Sequence, residues 1–122
     1  MTRRAESKIF IVDDDESIRD SLTTLLKSEG WEVDAFENGH DFLDAYLPMK
    51  GGCLLLDLNM PIMNGYEVIE ALNTRGYKIP VIVITSVEDT RIKSRLLNLG
   101  VTKVVTKPLN HELLFETINQ VI

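Results

Sequence analysis

The 122-residue sequence has one cysteine and two histidines, His40 and His111. That excludes a disulfide framework and leaves too few ligands for a Cys/His zinc site. Cys53 stands inside an apolar run and reads as a core thiol. Apolar runs extend to about four or five residues, whereas crossing a bilayer takes roughly 20, and no signal-peptide core follows Arg3 and Arg4. A cytoplasmic protein with no membrane contact is the expectation. Basic side chains are the minority: 13 Lys and Arg against 19 Asp and Glu give a net charge of −6, which argues against the domain binding nucleic acid by itself. There is no low-complexity segment and no linker. One domain with its own core fits this length and its 44% apolar content.

Short β-branched and apolar runs alternate with longer stretches of helical period, the pattern of repeated βα units around a parallel sheet. The strands read as Lys8 to Val12, Glu32 to Phe36, Cys53 to Leu56, Ile79 to Ile84 and Thr102 to Val105. Between and after them, Ile18, Leu22, Leu25 and Leu26, then Ile92, Leu96 and Leu99, then Leu114, Ile118 and Val121 recur at helical spacing, each set forming one buried stripe. Gly30, Gly76 and Gly100 stop helices where a left-handed residue is wanted. Asp15 and Asn110 are N-cap candidates. A short second helix spans roughly His40 to Leu47, broken by Pro48, Gly51 and Gly52. Residues 1 to 7 form a frayed tail, and residues 8 to 122 the domain.

Parallel sheets of this kind bind ligands beyond the carboxyl ends of their strands, and four of the five strands end there in reactive side chains. The first leads into Asp13, Asp14 and Asp15, the third into Asp57, the fourth into Thr85 and Ser86, the fifth into Thr106, Lys107 and Pro108. Asp57 follows a leucine run that belongs in a core, where an unpaired carboxylate is expensive. It is either a capping group or part of a site with a compensating cation. Converging carboxylates repel by about 4 kcal/mol per close pair at an effective dielectric near 20, so a cluster of them calls for a multivalent ion. All-oxygen donors suit Mg²⁺, with Lys107 as an additional point charge.

With IFIVDDDESIR, CLLLDLNMPIMNGYE, VIVITS and VVTKP in that order, the sequence resembles the response-regulator receiver domain of two-component signalling along essentially its whole length. The resemblance implies an α/β fold, the flavodoxin-like doubly wound five-stranded parallel sheet of order 2-1-3-4-5 with helices on both faces. It implies Asp57 as phosphoacceptor, and Mg²⁺ held by Asp13, Asp14, Asp57 and the backbone carbonyl of Asn59. Thr85 and Lys107 would contact the phosphoryl group, and a cis peptide bond would precede Pro108. The implied partners are a sensor histidine kinase or phosphotransfer protein and an output domain or protein reached through helix 4, strand 5 and helix 5. A phosphorylation-dependent homodimer is a further candidate. The chain fits either a stand-alone receiver or a piece of a longer regulator, not a turnover enzyme beyond its own phosphorylation and dephosphorylation.

Two departures from common family patterns stand out, the second at two positions. Val104 stands where many members carry a switch aromatic, and Asn59 and Val87 occupy positions that tune hydrolysis of the acyl phosphate. Asn59 also weakens the alternative of a Mg²⁺-dependent phosphohydrolase working through an aspartyl phosphate, because such enzymes generally place an acid there. A receiver-like interaction module that takes no phosphate is the third reading, disfavoured by the intact acidic, Thr85 and Lys107 set. Gly65 reads as a turn into helix 3, and Met60 and Met63 as packing for the preceding loop. Arg91, Lys93 and Arg95 read as a solvated face of helix 4 that doubles as a candidate partner contact.

Overall fold

Alternating side chains divide β1 (Lys8–Val12) between two cores, with Ile9 and Ile11 facing one side of the sheet and Phe10 and Val12 the other. β2 (Glu32–Phe36), β3 (Gly52–Asp57), β4 (Val81–Thr85) and β5 (Lys103–Thr106) join it in one parallel sheet, in the order β2-β1-β3-β4-β5. This is the expected doubly wound order. The computed structural model describes residues 7–48, 51–61 and 63–122. Helices α1 (Glu16–Ser28) and α5 (His111–Val121) cover the Ile9 face through Leu22, Leu26, Leu114 and Ile118. α2 (Gly39–Ala45), α3 (Gly65–Arg75) and α4 (Thr90–Asn98) cover the Phe10 face through Phe42, Val68, Leu72 and Leu96. β3, central and covered on both faces, is buried at every position from Gly52 to Asp57, as a parallel strand requires.

The helix boundaries follow local chemistry. Asp15 caps α1 by accepting from the amides of Ser17 and Ile18, Asn110 caps α5 by accepting from Leu113, and Asn64 forms a reciprocal capping box with Glu67 at the start of α3. Gly30, Gly76 and Gly100 hold φ of 96°, 71° and 99° just past α1, α3 and α4, the left-handed stops read from the sequence.

Several ends differ by one or two residues. β3 begins at Gly52, paired with Lys8, and runs on to Asp57, paired with Ile84, so Gly52 opens a strand instead of breaking a helix. β4 starts at Val81, since Pro80 has no N–H to give the ladder and offers only its carbonyl, to Leu54. β5 is shifted by one residue, to Lys103–Thr106. α2 runs from Gly39 to Ala45, short of Leu47, because Tyr46 turns extended and packs its ring edge-on against Phe10 at 5.2 Å. Leu47 is left exposed. Of the expected N-terminal tail, residues 1–6 lie outside the described residues, and Ser7 is buried.

Candidate functional site

The carboxyl edge of the central strands gathers most of the reactive side chains. Asp13 leaves β1 with its amide donating to the carbonyl of Phe36 on β2 (3.1 Å). Asp57 ends β3, and the next amide, that of Leu58, donates to Ile84 of β4 (3.1 Å), which holds the strand end in register. Lys107 follows β5, its amide donating to the Thr85 carbonyl (2.8 Å), and the Lys107–Pro108 peptide is cis.

These connections bring Asp13, Asp14 and Asp57 together so that one carboxylate oxygen of each lies within 4.8 Å of the others. Asp13 and Asp57 are 3% and 6% exposed, while Asp14 is open to solvent. Lys107 Nζ stands 3.8 Å from Asp57 Oδ1, and the Asn59 amide donates to that same oxygen at 3.3 Å. Thr85 is buried, its hydroxyl accepting from the Val87 amide at 3.1 Å. Asp15 turns away to cap α1, its carboxyl held below the usual range chiefly by the Ser17 hydroxyl.

The electrostatics are unbalanced. Burial first, and then the charge of Asp13, push the Asp57 carboxyl up to about 6, with Lys107 and the Asn59 amide pulling the other way. Burial likewise raises Asp13, against the Asp15 amide and Lys107. One ammonium at 3.8 Å does not offset three converging carboxylates. Clustered, purely oxygen donors with surplus negative charge fit a hard divalent cation such as Mg²⁺, which binds through one or two carboxylates and keeps waters.

Residues 9–119 match the family model described as the response regulator receiver domain. The chain belongs to the response regulator receiver domain family. It is 36% identical to the transcriptional regulatory protein TdiR of Thauera aromatica over 93% of its own length and 50% of that protein. To FixJ of Azorhizobium caulinodans it is 35% identical over 84% of the chain and 48% of that protein. The chain thus spans about half the length of these relatives. Among solved structures it matches FixJ-N at TM-score 0.86 and 30% identity, covering 94% of this chain and 92% of that one. Chemotaxis protein CheY4 of Vibrio cholerae matches at 0.83 and 29%, covering 95% and 98%.

Within the receiver domain, one feature differs from its sequence reading and two went unread. Gly65 is needed for close approach more than for a turn: a Cβ there would lie 2.9 Å from Leu58 Cα and 3.1 Å from the Asp57 carbonyl oxygen, and the Gly65 amide donates to the Leu58 carbonyl (2.9 Å). Backbone atoms cannot swing aside as a side-chain end can. Gly65→Ala is therefore expected to cost about 1–3 kcal/mol, read as a lower urea midpoint at unchanged slope. The atoms that Cβ would meet belong to Leu58 and Asp57, so the backbone displaced is that of the site itself.

The second feature is an open cleft of about 660 Å³ between α1 and the segment after β5, lined by Ile18, Leu22, Leu109 and His111 and reaching Asp13 and Lys107. The third is Arg19, whose guanidinium reaches back to the β1–α1 connection.

On the opposite side, a cleft of about 200 Å³ between α4 and β5 reaches both Thr85 and half-buried Val104. Met60 and Met63, read from the sequence as packing for the loop after β3, pack against the Phe10-side core. Arg91, Lys93 and Arg95 are exposed on α4, with Arg91 3.4 Å from Asp89 and Arg95 4.2 Å over the Tyr66 ring.

Proposed function

We propose that this receiver domain accepts a phosphoryl group on Asp57 in a Mg²⁺-dependent reaction, and that the new charge changes the surface formed by α4, β5 and α5. The observation that carries the reading is the convergence of Asp13, Asp14, Asp57 and Lys107 on one edge of the sheet. Asp13, Asp14 and Asp57, with the Asn59 carbonyl, would hold the ion. When bound, Mg²⁺ would screen the carboxylates and favour the extra negative charge of a phosphoryl group.

This chain's residues do the rest. An Asp57 carboxylate oxygen attacks phosphorus, forming the O–P bond as the P–N bond of a kinase phosphohistidine breaks, its electron pair remaining on the imidazole. A small acyl phosphate would serve equally, its P–O bond breaking instead. Lys107, already beside Oδ1, meets a phosphoryl oxygen with its ammonium. The Thr85 hydroxyl, which now accepts from Val87, can turn to donate to another, and that releases the Val87 amide and loosens the connection into α4. The cleft that reaches Asp13 and Lys107 would seat the phosphohistidine-bearing partner beside the pocket. A sensor histidine kinase or phosphotransfer protein upstream, an output domain or protein downstream, and a cytoplasmic setting follow from this reading. Autophosphorylation from acyl phosphates and slow self-hydrolysis belong to it as well.

The test is intact mass after incubation with a small acyl phosphate. One added phosphoryl group is expected with Mg²⁺ and none with a chelator, and the adduct should be lost in alkaline hydroxylamine as an acyl phosphate is. No adduct under either condition rejects the proposal.

A further inference from the structure

We propose that Arg19 is a positioning residue of the acidic pocket: it fixes the Asp13–Asp14 peptide so that both carboxylates meet Asp57 around a divalent cation. The inference rests on the metal-binding reading given above. Arg19 Nη1 donates to the backbone carbonyl of Asp13 at 2.8 Å, six residues back along the chain. That carbonyl lies past the last paired residue of β1, so the sheet ladder offers it no donor. The Asp13 amide is already committed to the Phe36 carbonyl, and Asp13 Oδ1 accepts from the Asp15 amide at 2.9 Å. Asp13 is therefore pinned from β2, from its own loop and from α1. Among the described residues, it is the α1 contact that acts on the peptide plane joining Asp13 to Asp14, and fixing that plane sets the direction in which the exposed Asp14 carboxylate leaves the backbone.

The choice of acceptor matters. Lys107 sits against a carboxylate oxygen, where an incoming cation competes with it. Arg19 spends its hydrogen bond on a neutral carbonyl, so it takes no carboxylate oxygen of the cluster away from a metal. A charged donor on a carbonyl is also stronger than a neutral one, and the helix that carries it is anchored by Leu22 and Leu26 in the core. Groups that orient ligands in this way typically change metal affinity by 10- to 100-fold when removed.

The experiment uses the whole 122-residue chain with Mg²⁺ as the probe, titrated calorimetrically and again as the Mg²⁺ concentration giving half-maximal phosphorylation by a small acyl phosphate. Arg19→Met keeps the apolar stem and removes the donor. It is expected to weaken Mg²⁺ about tenfold, while the rate at saturating Mg²⁺ stays within about twofold. Arg19→Lys, with its charge and a single donor, should recover part of the affinity.

The control is Asn73→Ala, which removes a tether of similar length, Asn73 Nδ2 to the Leu99 carbonyl at 2.9 Å, near the opposite edge of the sheet. It should lower the melting temperature without changing Mg²⁺ affinity. Wild-type affinity in Arg19→Met, or an equal loss in Asn73→Ala, overturns the assignment to Arg19 and leaves the metal reading intact. If the unsubstituted chain binds no Mg²⁺, both fall together. Should Arg19→Met fail to fold, Arg19→Lys is read in its place, with about threefold weaker binding expected and unchanged binding overturning the proposal.

Discussion

Asp57→Asn is expected to abolish phosphoryl incorporation, with labelling by a small acyl phosphate falling at least about a thousandfold, to background. The amide keeps the size and the hydrogen-bonding shape of the carboxylate, and the Asn59 amide and Lys107 retain a partner oxygen, so the fold has no reason to change. What disappears is the anionic nucleophile. Neither Asp13 nor Asp15 replaces it: Asp13 is buried and tied to the Asp15 amide, and Asp15 is committed to the cap of α1.

Lys107→Met should behave differently. Asp57 remains, but a charged donor aimed at the transferring group is lost, an effect on the order of 10²- to 10³-fold in rate that longer incubation partly restores. Mass spectra over time separate the two, since an endpoint of zero for Asp57→Asn contrasts with a slow approach to completion for Lys107→Met. Undiminished labelling of Asp57→Asn would move the acceptor to another side chain.

Much of this arrangement was legible in the chain because its signals are local. The strand cores declare themselves as IFIV, CLLL and VIVI, helix stops coincide with glycines that need positive φ, and Asp15 and Asn110 sit where caps are wanted. Once strands are parallel and adjacent, their ends must cluster, so Asp13, Asp57, Thr85 and Lys107 could be grouped from position alone.

What escaped depends on contacts between distant segments. The end of α2 turns on Tyr46 finding Phe10 and Phe42. The start of β4 depends on which amide can enter the ladder, and Pro80 cannot supply one. Gly65 looked like a turn residue because its approach to Leu58 appears only when α3 is docked against the end of β3. Arg19 carries no local signal beyond its place on a helix, and its role comes from a backbone carbonyl left over where β1 stops.

The second large effect is on stability. Because the Asp57 carboxyl titrates at about 6 in the folded protein and near 3.8 when unexposed to this site, the folded state binds its proton more tightly than the unfolded state does. Asp13 is raised in the same direction. Such groups favour folding fully below the unfolded value of about 4, and that contribution is lost as pH rises through about 6. The metal-free protein should therefore become less stable between pH 4 and 7. Two further carboxyls, Asp15 and Asp89, are shifted down; their contribution fades only as pH falls below the ordinary carboxylate range, outside this window.

A shift from 3.8 to about 6 corresponds to roughly 2–3 kcal/mol for Asp57. In a chelator at pH 7.5, Asp57→Asn should accordingly melt higher than the unsubstituted chain by roughly 5–10 °C, and the gap should narrow as pH approaches 4. Mg²⁺ should reverse the order, since it stabilises by RT ln(1 + [L]/Kd) only a chain that retains its ligands. Thermal melts across pH 4 to 8, with and without Mg²⁺, measure all of this in one series. A stability that rises from pH 4 to 7 without metal, or an Asp57→Asn variant that melts lower at pH 7.5, would show that the carboxylates are relieved by something other than a bound cation.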